Sequence, residues 1–344
     1  MRAKPSLCIS ARIVSTAAAL FVTAFALKAP AQRADLTSAD RAAGRSTSAL
    51  QALQDGRVED ATALARATLT SDPGDAFAHQ ILCRAFYAED RADDAVRECE
   101  AAVAVPQSAQ ASSENQLWLG RAYGLKARHA GPINGFKLAK RVQVSFAKAV
   151  ELNGSNVAAL SDLGEYYVSA PSIVGGSTEK AKALAGTMMP RFPAQAHLLL
   201  ARIAVEAGDA GAAEAEFKQV IALQKNTQSW VDLAAFYETH HRKAEAVAAV
   251  KVGLALDRTH GPAIVDAASV LIAAHAEPEL AEKCLRLYLG SKAKTDEAPA
   301  FKVYVQLSRL LAARGLSAEA GAQMQAAAVL APVFTRGSRQ WQGL

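Results

Sequence analysis

Residues 157–169, VAALSDLGEYYVS, and residues 227–239, TQSWVDLAAFYET, share the spacing that decides the fold. In both stretches a bulky residue is followed three positions later by leucine, then directly by a small residue, and three positions later by tyrosine. On a helix this spacing puts the large side chains on one face, and the small residue lets an antiparallel helix approach closely. Looser versions of the pattern occur at residues 79–86, 119–123 and 304–311. The pattern predicts a series of helices that each pack against a partner helix.

A recurring alanine marks the expected second helix of each unit. These residues are Ala61, Ala95, Ala181, Ala213, Ala246, Ala281 and Ala320. Where no insertion intervenes, neighbouring alanines are 32 to 35 residues apart. Glycine stands five residues before four of them, where we expect a left-handed conformation that closes the first helix. Those glycines are Gly56, Gly176, Gly208 and Gly315. Pro73, Pro193 and Pro332 follow three of the alanines by twelve residues and are expected to end second helices.

The recurrence resembles the tetratricopeptide repeat, whose period is about 34 residues. The resemblance implies an all-α fold, an α-solenoid of stacked antiparallel helix hairpins that forms a superhelix. One hairpin cannot bury its apolar face alone, so neighbouring hairpins must stack. We count about eight hairpins over residues 46–332, followed by a C-terminal tail at 333–344.

Two units are irregular, at residues 126–152 and 170–178, and residues 291–299 lengthen the connection into the last unit. The stretch that includes APSIVGG at 170–176 is similar to a group of bacterial exported tetratricopeptide proteins that carry the same insertions. That resemblance implies a periplasmic or secreted interaction module and assigns no chemistry. We expect the insertions, residues 126–136 among them, to form loops at one edge of the solenoid.

The first 31 residues have the pattern of a secretory signal peptide. Basic residues at Arg2, Lys4 and Arg12 precede or open an uncharged stretch over residues 13–27, and Ala29-Pro30-Ala31 offers a cleavage site. We expect cleavage after Ala31, a flexible segment at 32–45, and export to the periplasm or the medium. An uncleaved anchor is the alternative, although 15 residues are short for a span of about 20.

Composition and charge exclude several classes of protein. The 344 residues are 51% hydrophobic and only 6% aromatic, which favours helices over a β-sandwich. The formal charge is +5, but the leader carries four basic residues and no acidic one. The mature chain therefore has 38 − 4 = 34 basic against 33 acidic residues, a net charge of +1. Nothing in this balance predicts a nucleic-acid partner.

Catalytic signatures are absent from the sequence. It contains no G-x-S-x-G, no H-E-x-x-H, no phosphate loop and no dinucleotide fingerprint. The histidines lie too far apart along the chain to predict three or four convergent zinc ligands. We therefore predict no catalytic, cofactor-binding or metal-binding residues. The alternative is an enzyme or a carbohydrate-binding accessory protein of the cell envelope that uses the insertions near Gly131 and Gly175.

Three cysteines remain after removal of the leader. Cys83 stands at the close-contact position of one helix, and Cys99 stands one turn beyond Ala95 on the facing helix. Two readings stay open, a disulfide across the hairpin or two small apolar core residues. Cys284 has no predicted partner and is expected to be buried.

The inner face of such a solenoid offers the binding hypothesis. The residues directly after the small close-contact residues are Arg84, Arg121, Glu165, Arg202, Ala235 and Arg309. Tyr87, Gln80 and Gln228 lie near them, and the arginines can form forked hydrogen bonds to carboxylates. The sequence therefore predicts a groove that binds a protein or peptide with acidic groups and needs no cofactor. In the alternative, the arginines pair with acidic residues of neighbouring helices and stabilise the superhelix.

Overall fold

The computed structural model describes residues 44–339, and within them the regular structure consists of seventeen α-helices. The helices are α1 (Gly44–Gln54), α2 (Val58–Ser71), α3 (Ala76–Ala88), α4 (Ala92–Ala104), α5 (Ala109–Arg128), α6 (Pro132–Leu152), α7 (Val157–Ser169), α8 (Thr178–Met188), α9 (Pro193–Glu206), α10 (Ala210–Gln224), α11 (Thr227–Thr239), α12 (Lys243–Leu256), α13 (Pro262–Ala273), α14 (Pro278–Gly290), α15 (Ala300–Ala313), α16 (Ser317–Leu330) and α17 (Pro332–Arg339). The predicted signal peptide, nearly all of the segment 32–45 and residues 340–344 lie outside the described residues.

Helices α1 to α16 pair in order as eight antiparallel hairpins, which confirms the predicted all-α solenoid. Successive first helices also contact each other, as α3 contacts α5 and α11 contacts α13. The first helices therefore form the inner layer of the array. Gly120 lies at the expected contact with the partner helix, since a Cβ there would stand 2.5 Å from the Phe146 ring of α6. A Cβ on Gly164 would stand 2.8 Å from Leu199 of α9, so this small residue admits the first helix of the next hairpin instead.

The glycine prediction for the hairpin turns is correct at three of four positions. Gly56, Gly208 and Gly315 have φ angles of 80°, 74° and 79°. The prediction for Gly176 is wrong, because Gly175, with φ of 106°, takes the left-handed conformation there. Gly176 is instead required for space, since a Cβ would lie 1.7 Å from the carbonyl oxygen of Ala170.

The proline prediction needs a similar correction. Pro193 and Pro332 occupy the first turn of α9 and α17, where a missing N–H costs no helical hydrogen bond, so they begin helices rather than end them. The segment predicted as a C-terminal tail thus starts with helix α17. Its Phe334 packs edge-on against Phe301 of α15 at a centroid distance of 5.0 Å.

The insertion at residues 126–136 does not form the expected loop. It lengthens α5 and α6 to 20 and 21 residues and leaves only a short connection at 129–131. Lys126, Ala127 and Arg128 have high helix propensity and extend α5, and Pro132 opens α6 at its first turn. The second irregular segment is a true connection that contains a 3₁₀ turn over Ser172–Val174.

The two ends of the array meet at helix α15. Phe301 and Val305 belong to the core that contains Leu53 of α1, whereas Val303 and Leu307 belong to the core of hairpins five to eight. A Cβ on Gly56 would lie 2.8 Å from Ala300, so the turn of hairpin one directly contacts the start of α15. The superhelix therefore closes on itself.

A disulfide joins Cys83 of α3 to Cys99 of α4, whose Cα atoms are 5.1 Å apart. Cys284 of α14 is buried and is not bonded to another cysteine. The bond links the two helices of hairpin two at the position where the small-residue contact lies in other hairpins.

Gly120→Ala should lower the free energy of unfolding by about 1–3 kcal/mol, because Phe146 leaves no room for a methyl group. The control is Gly186→Ala in α8, where a Cβ meets nothing within 4 Å and the change should stabilise by up to about 1 kcal/mol. Urea unfolding followed by circular dichroism measures both. Equal effects of the two substitutions would contradict the close-contact account.

Alkylation of the mature protein under denaturing, non-reducing conditions should label one cysteine, Cys284, and all three after reduction. The Cys83→Ser/Cys99→Ser variant should lose about 3 kcal/mol of stability in the loop-entropy model. Three labelled thiols without reduction would show that the two cysteines are core residues only.

Candidate partner-binding groove

Arg84 binds a carboxylate of the same chain. Its Nε and Nη2 atoms each donate to Asp296 over 2.9 Å, in a forked pair. Asp296 belongs to residues 291–299, which connect α14 to α15 and which we call the linker. The side chains of Arg84 and Asp296 are only 11% and 3% exposed. Burial alone would lower the pKa of Arg84, but the adjacent Asp296 outweighs it and raises that pKa.

Arg121 makes a second contact with the linker. Its Nε donates to Asp162 of α7 over 2.6 Å, and its Nη1 lies 3.4 Å from Oε1 of Glu297. The indole ring of Trp118 adjoins both arginines, whose guanidinium carbons lie 5.1 Å (Arg84) and 4.8 Å (Arg121) from its centroid. Two arginines, one tryptophan and two adjacent carboxylates thus form a buried cluster on the inner face.

The other predicted groove arginines lie apart from this cluster. Nε of Arg202 stands 3.8 Å from Oε2 of Glu165, too far for a hydrogen bond. That Nε is shielded from solvent and has no hydrogen-bond partner within the described part of the chain. Arg309 is exposed on α15. The four arginines therefore do not converge on one point of the groove.

The predicted amide and tyrosine residues have different surroundings. Gln80 is buried and donates to Asn115 over 2.7 Å, which joins hairpins two and three. Tyr87 packs edge-on against Trp118 at 5.6 Å, and burial raises the pKa of its hydroxyl to about 12. Gln228 donates to Asp232 over 2.9 Å. Gln80 therefore joins two hairpins, whereas Gln228 contacts a second polar cluster.

That second cluster, which the sequence analysis missed, consists of Asp232 on α11 and Asp266 on α13. Both are half-buried on successive first helices. Burial raises the pKa of Asp232 to about 6, and burial together with the nearby charge of Asp232 raises the pKa of Asp266 to about 8. Oδ2 of Asp266 is shielded from solvent and accepts no hydrogen bond from any described residue. A signal existed, because Asp232 and Asp162 both directly precede the Leu-small pair of the repeat.

Two histidines link the helices of their hairpins. His79 lies 2.8 Å from Glu98, and His197 lies 2.6 Å from Glu216, in each case between the two helices of one hairpin. Across residues 44–339, no group of three His, Cys, Asp or Glu side chains is arranged to hold a metal ion. None of the helices described is both long and apolar enough to cross a membrane.

Eight antiparallel hairpins whose first helices form the inner layer decide the fold. The protein has a tetratricopeptide-type fold. No model of a protein family matches the chain, and no curated protein matches it.

Solved structures of tetratricopeptide proteins are similar to it. TTC0263 of Thermus thermophilus is 19% identical with a TM-score of 0.42, over 66% of this chain and 99% of that one. A tetratricopeptide repeat protein of Parabacteroides merdae is 13% identical with a TM-score of 0.44, over 75% and 96%. The Cut9–Hcn1 hetero-tetramer of APC/C is 12% identical with a TM-score of 0.38, over 82% of this chain and 52% of that one.

Asp266 should make the stability of this tetratricopeptide array depend on pH. Its folded pKa of about 8 exceeds that of an ordinary carboxyl group, so the folded chain binds more protons than the unfolded chain between about pH 4 and 8. The free energy of unfolding should therefore fall as the pH rises across this window, by about 1–2 kcal/mol more in the wild type than in Asp266→Asn. Urea unfolding at several pH values measures it. The exposed Glu151→Gln is the control, and parallel curves for wild type and Asp266→Asn would contradict the assignment.

Proposed function

We propose that this protein is an exported scaffold that binds a protein or peptide partner along the inner face of its first helices. The observation that carries the proposal is the cluster of Asp232 and Asp266. A shielded carboxyl oxygen without a hydrogen-bond partner is costly, and a donor supplied by a partner would remove that cost and lower the raised pKa of Asp266. Backbone amides or ammonium groups of an extended segment have the chemistry to bind there.

Fewer arginines than predicted are available to bind acidic groups of a partner. Arg84 and Arg121 already bind Asp296 and Glu297. Such pairing with acidic residues of the same chain is the kind of contact that the alternative, structural role involves. Arg202 and Arg309 stand apart from that cluster. A partner with acidic groups would meet these two residues or replace the linker carboxylates. The net charge of +1 for the mature chain gives no support to a nucleic-acid partner.

Export is part of the proposal and is supported by the leader pattern of residues 1–31. A disulfide between Cys83 and Cys99 fits an oxidising compartment such as the periplasm. N-terminal sequencing of the protein recovered from the cell envelope should start at Gln32. A chain that keeps Met1 and stays in the cytoplasm would contradict this part of the proposal.

A scaffold role without catalysis completes the proposal. A Cβ on Gly131 would meet nothing within 4 Å, and the atoms nearest to one on Gly175 belong to the Gln143 side chain. No observation favours the enzyme or carbohydrate-binding alternative.

Capture from envelope extract with the mature protein as bait tests the groove directly. Asp232→Asn/Asp266→Asn should weaken the binding of the captured partner by about tenfold or more, because an amide cannot acquire the negative charge that a carboxyl group takes on when a cationic donor binds beside it. The matched control is Asp93→Asn/Glu151→Gln, which removes two exposed carboxylates of second helices. Equal binding by both variants would exclude this face as the binding site.

A further inference from the structure

The linker joins parts of the chain that are far apart in sequence. Asp296 and Glu297 contact Arg84 and Arg121, which precede them by 212 and 176 residues. Beside them Lys302, at the start of α15, lies 3.2 Å from both carboxylate oxygens of Asp90 in the turn of hairpin two. The linker therefore lies in the groove, against the inner face of hairpins two and three.

The site that receives the linker is shaped for carboxylates. A buried carboxylate is tolerated only when charged donors replace its water, and Arg84 does so with two parallel bonds to Asp296. Trp118 covers both guanidinium groups on one side, and Arg121 is oriented by Asp162 whether or not Glu297 is present. The receiving surface is thus preorganised by residues outside the linker.

The linker has a separate anchor on either side of the acidic pair. The hydroxyl of Tyr288 accepts from the backbone N–H of Thr295 over 3.1 Å and donates to the carbonyl oxygen of Ala298 over 2.5 Å. These bonds do not involve the arginines. Because α15 is also held by its own apolar contacts, loss of the Asp296 and Glu297 contacts would release these two side chains from the arginines without opening the array.

We propose that Asp296 and Glu297 act as an internal ligand of the Arg84–Trp118–Arg121 site, and that a partner segment with two adjacent carboxylates takes their place. The inference rests on the proposed function and names one class of partner for it. The linker competes from within the same chain, at an effective concentration on the order of millimolar, so it keeps the site closed to weak acidic segments. A partner must bring further contacts along the groove to displace it.

The test uses a peptide of the linker sequence, SKAKTDEAP, added to the whole mature protein. Asp296→Asn/Glu297→Gln should bind this peptide at least about tenfold more tightly than the wild type, because the site is no longer occupied by charged groups of the same chain. Calorimetry measures the affinity, and a peptide with Asn-Gln in place of Asp-Glu should bind neither protein. Asp93→Asn/Glu151→Gln, which also removes two acidic residues, should behave as the wild type.

A folded double variant that binds the peptide no better than the wild type overturns the proposal. If the double variant does not fold, Glu297→Gln serves instead, because Arg121 keeps Asp162 and Arg84 keeps Asp296; it should bind the peptide more tightly than the wild type, and equal binding would again overturn the proposal. Adding Arg84→Gln to the double variant should abolish peptide binding, and binding that persists would place the peptide elsewhere. Since the probe is the linker peptide and not a cellular partner, this result is independent of the capture experiment with Asp232 and Asp266.

Discussion

Helix α15 has to bury two apolar faces, and the shape of the whole array follows from this constraint. Phe301 and Val305 lie in one core with hairpin one, while Val303 and Leu307 lie in another with hairpin seven. A terminal hairpin of an open solenoid would leave one of these faces in water. Closure of the superhelix covers both faces and brings the first and last hairpins into contact.

Closure also decides the electrostatics of the inner face. It carries the linker into the groove, where Asp296 and Glu297 neutralise the arginines of hairpins two and three. The inner face is thereby divided into an occupied arginine site and, farther along, the carboxylates of Asp232 and Asp266. The groove of an open array with the same sequence would lack the linker carboxylates, so its preference for partners would differ.

The sequence predicted the features that depend on local contacts. Hairpin order, the small residues at Gly120 and Gly164 and three of the four turn glycines all repeat with a short period, so each unit supports the interpretation of the next. The helical state of residues 126–136 was not predicted, because the length of an insertion says nothing about its conformation and because Gly131, Asn134 and Gly135 have low helix propensity.

The closure of the superhelix could not be predicted from the repeat pattern. It depends on pairs such as Asp90 with Lys302, which are 212 residues apart and follow no period. For the same reason the binding of Arg84 and Arg121 to linker carboxylates could not be predicted from their positions in the repeat. Asp232 was predictable from the repeat, because it directly precedes the Leu-small pair as Asp162 does.

Zero-length carbodiimide coupling of the mature protein tests closure most directly, because it joins only amines and carboxylates that are in contact. The account predicts a crosslinked peptide pair that joins Asp90 to Lys302 within one monomer, where the amine and carboxylate lie 3.2 Å apart. Lys126 with Asp93 and Lys148 with Glu151, at 2.8 and 2.7 Å, are internal controls that do not depend on closure. Coupling of the two control pairs without any Asp90–Lys302 product would contradict the closed array.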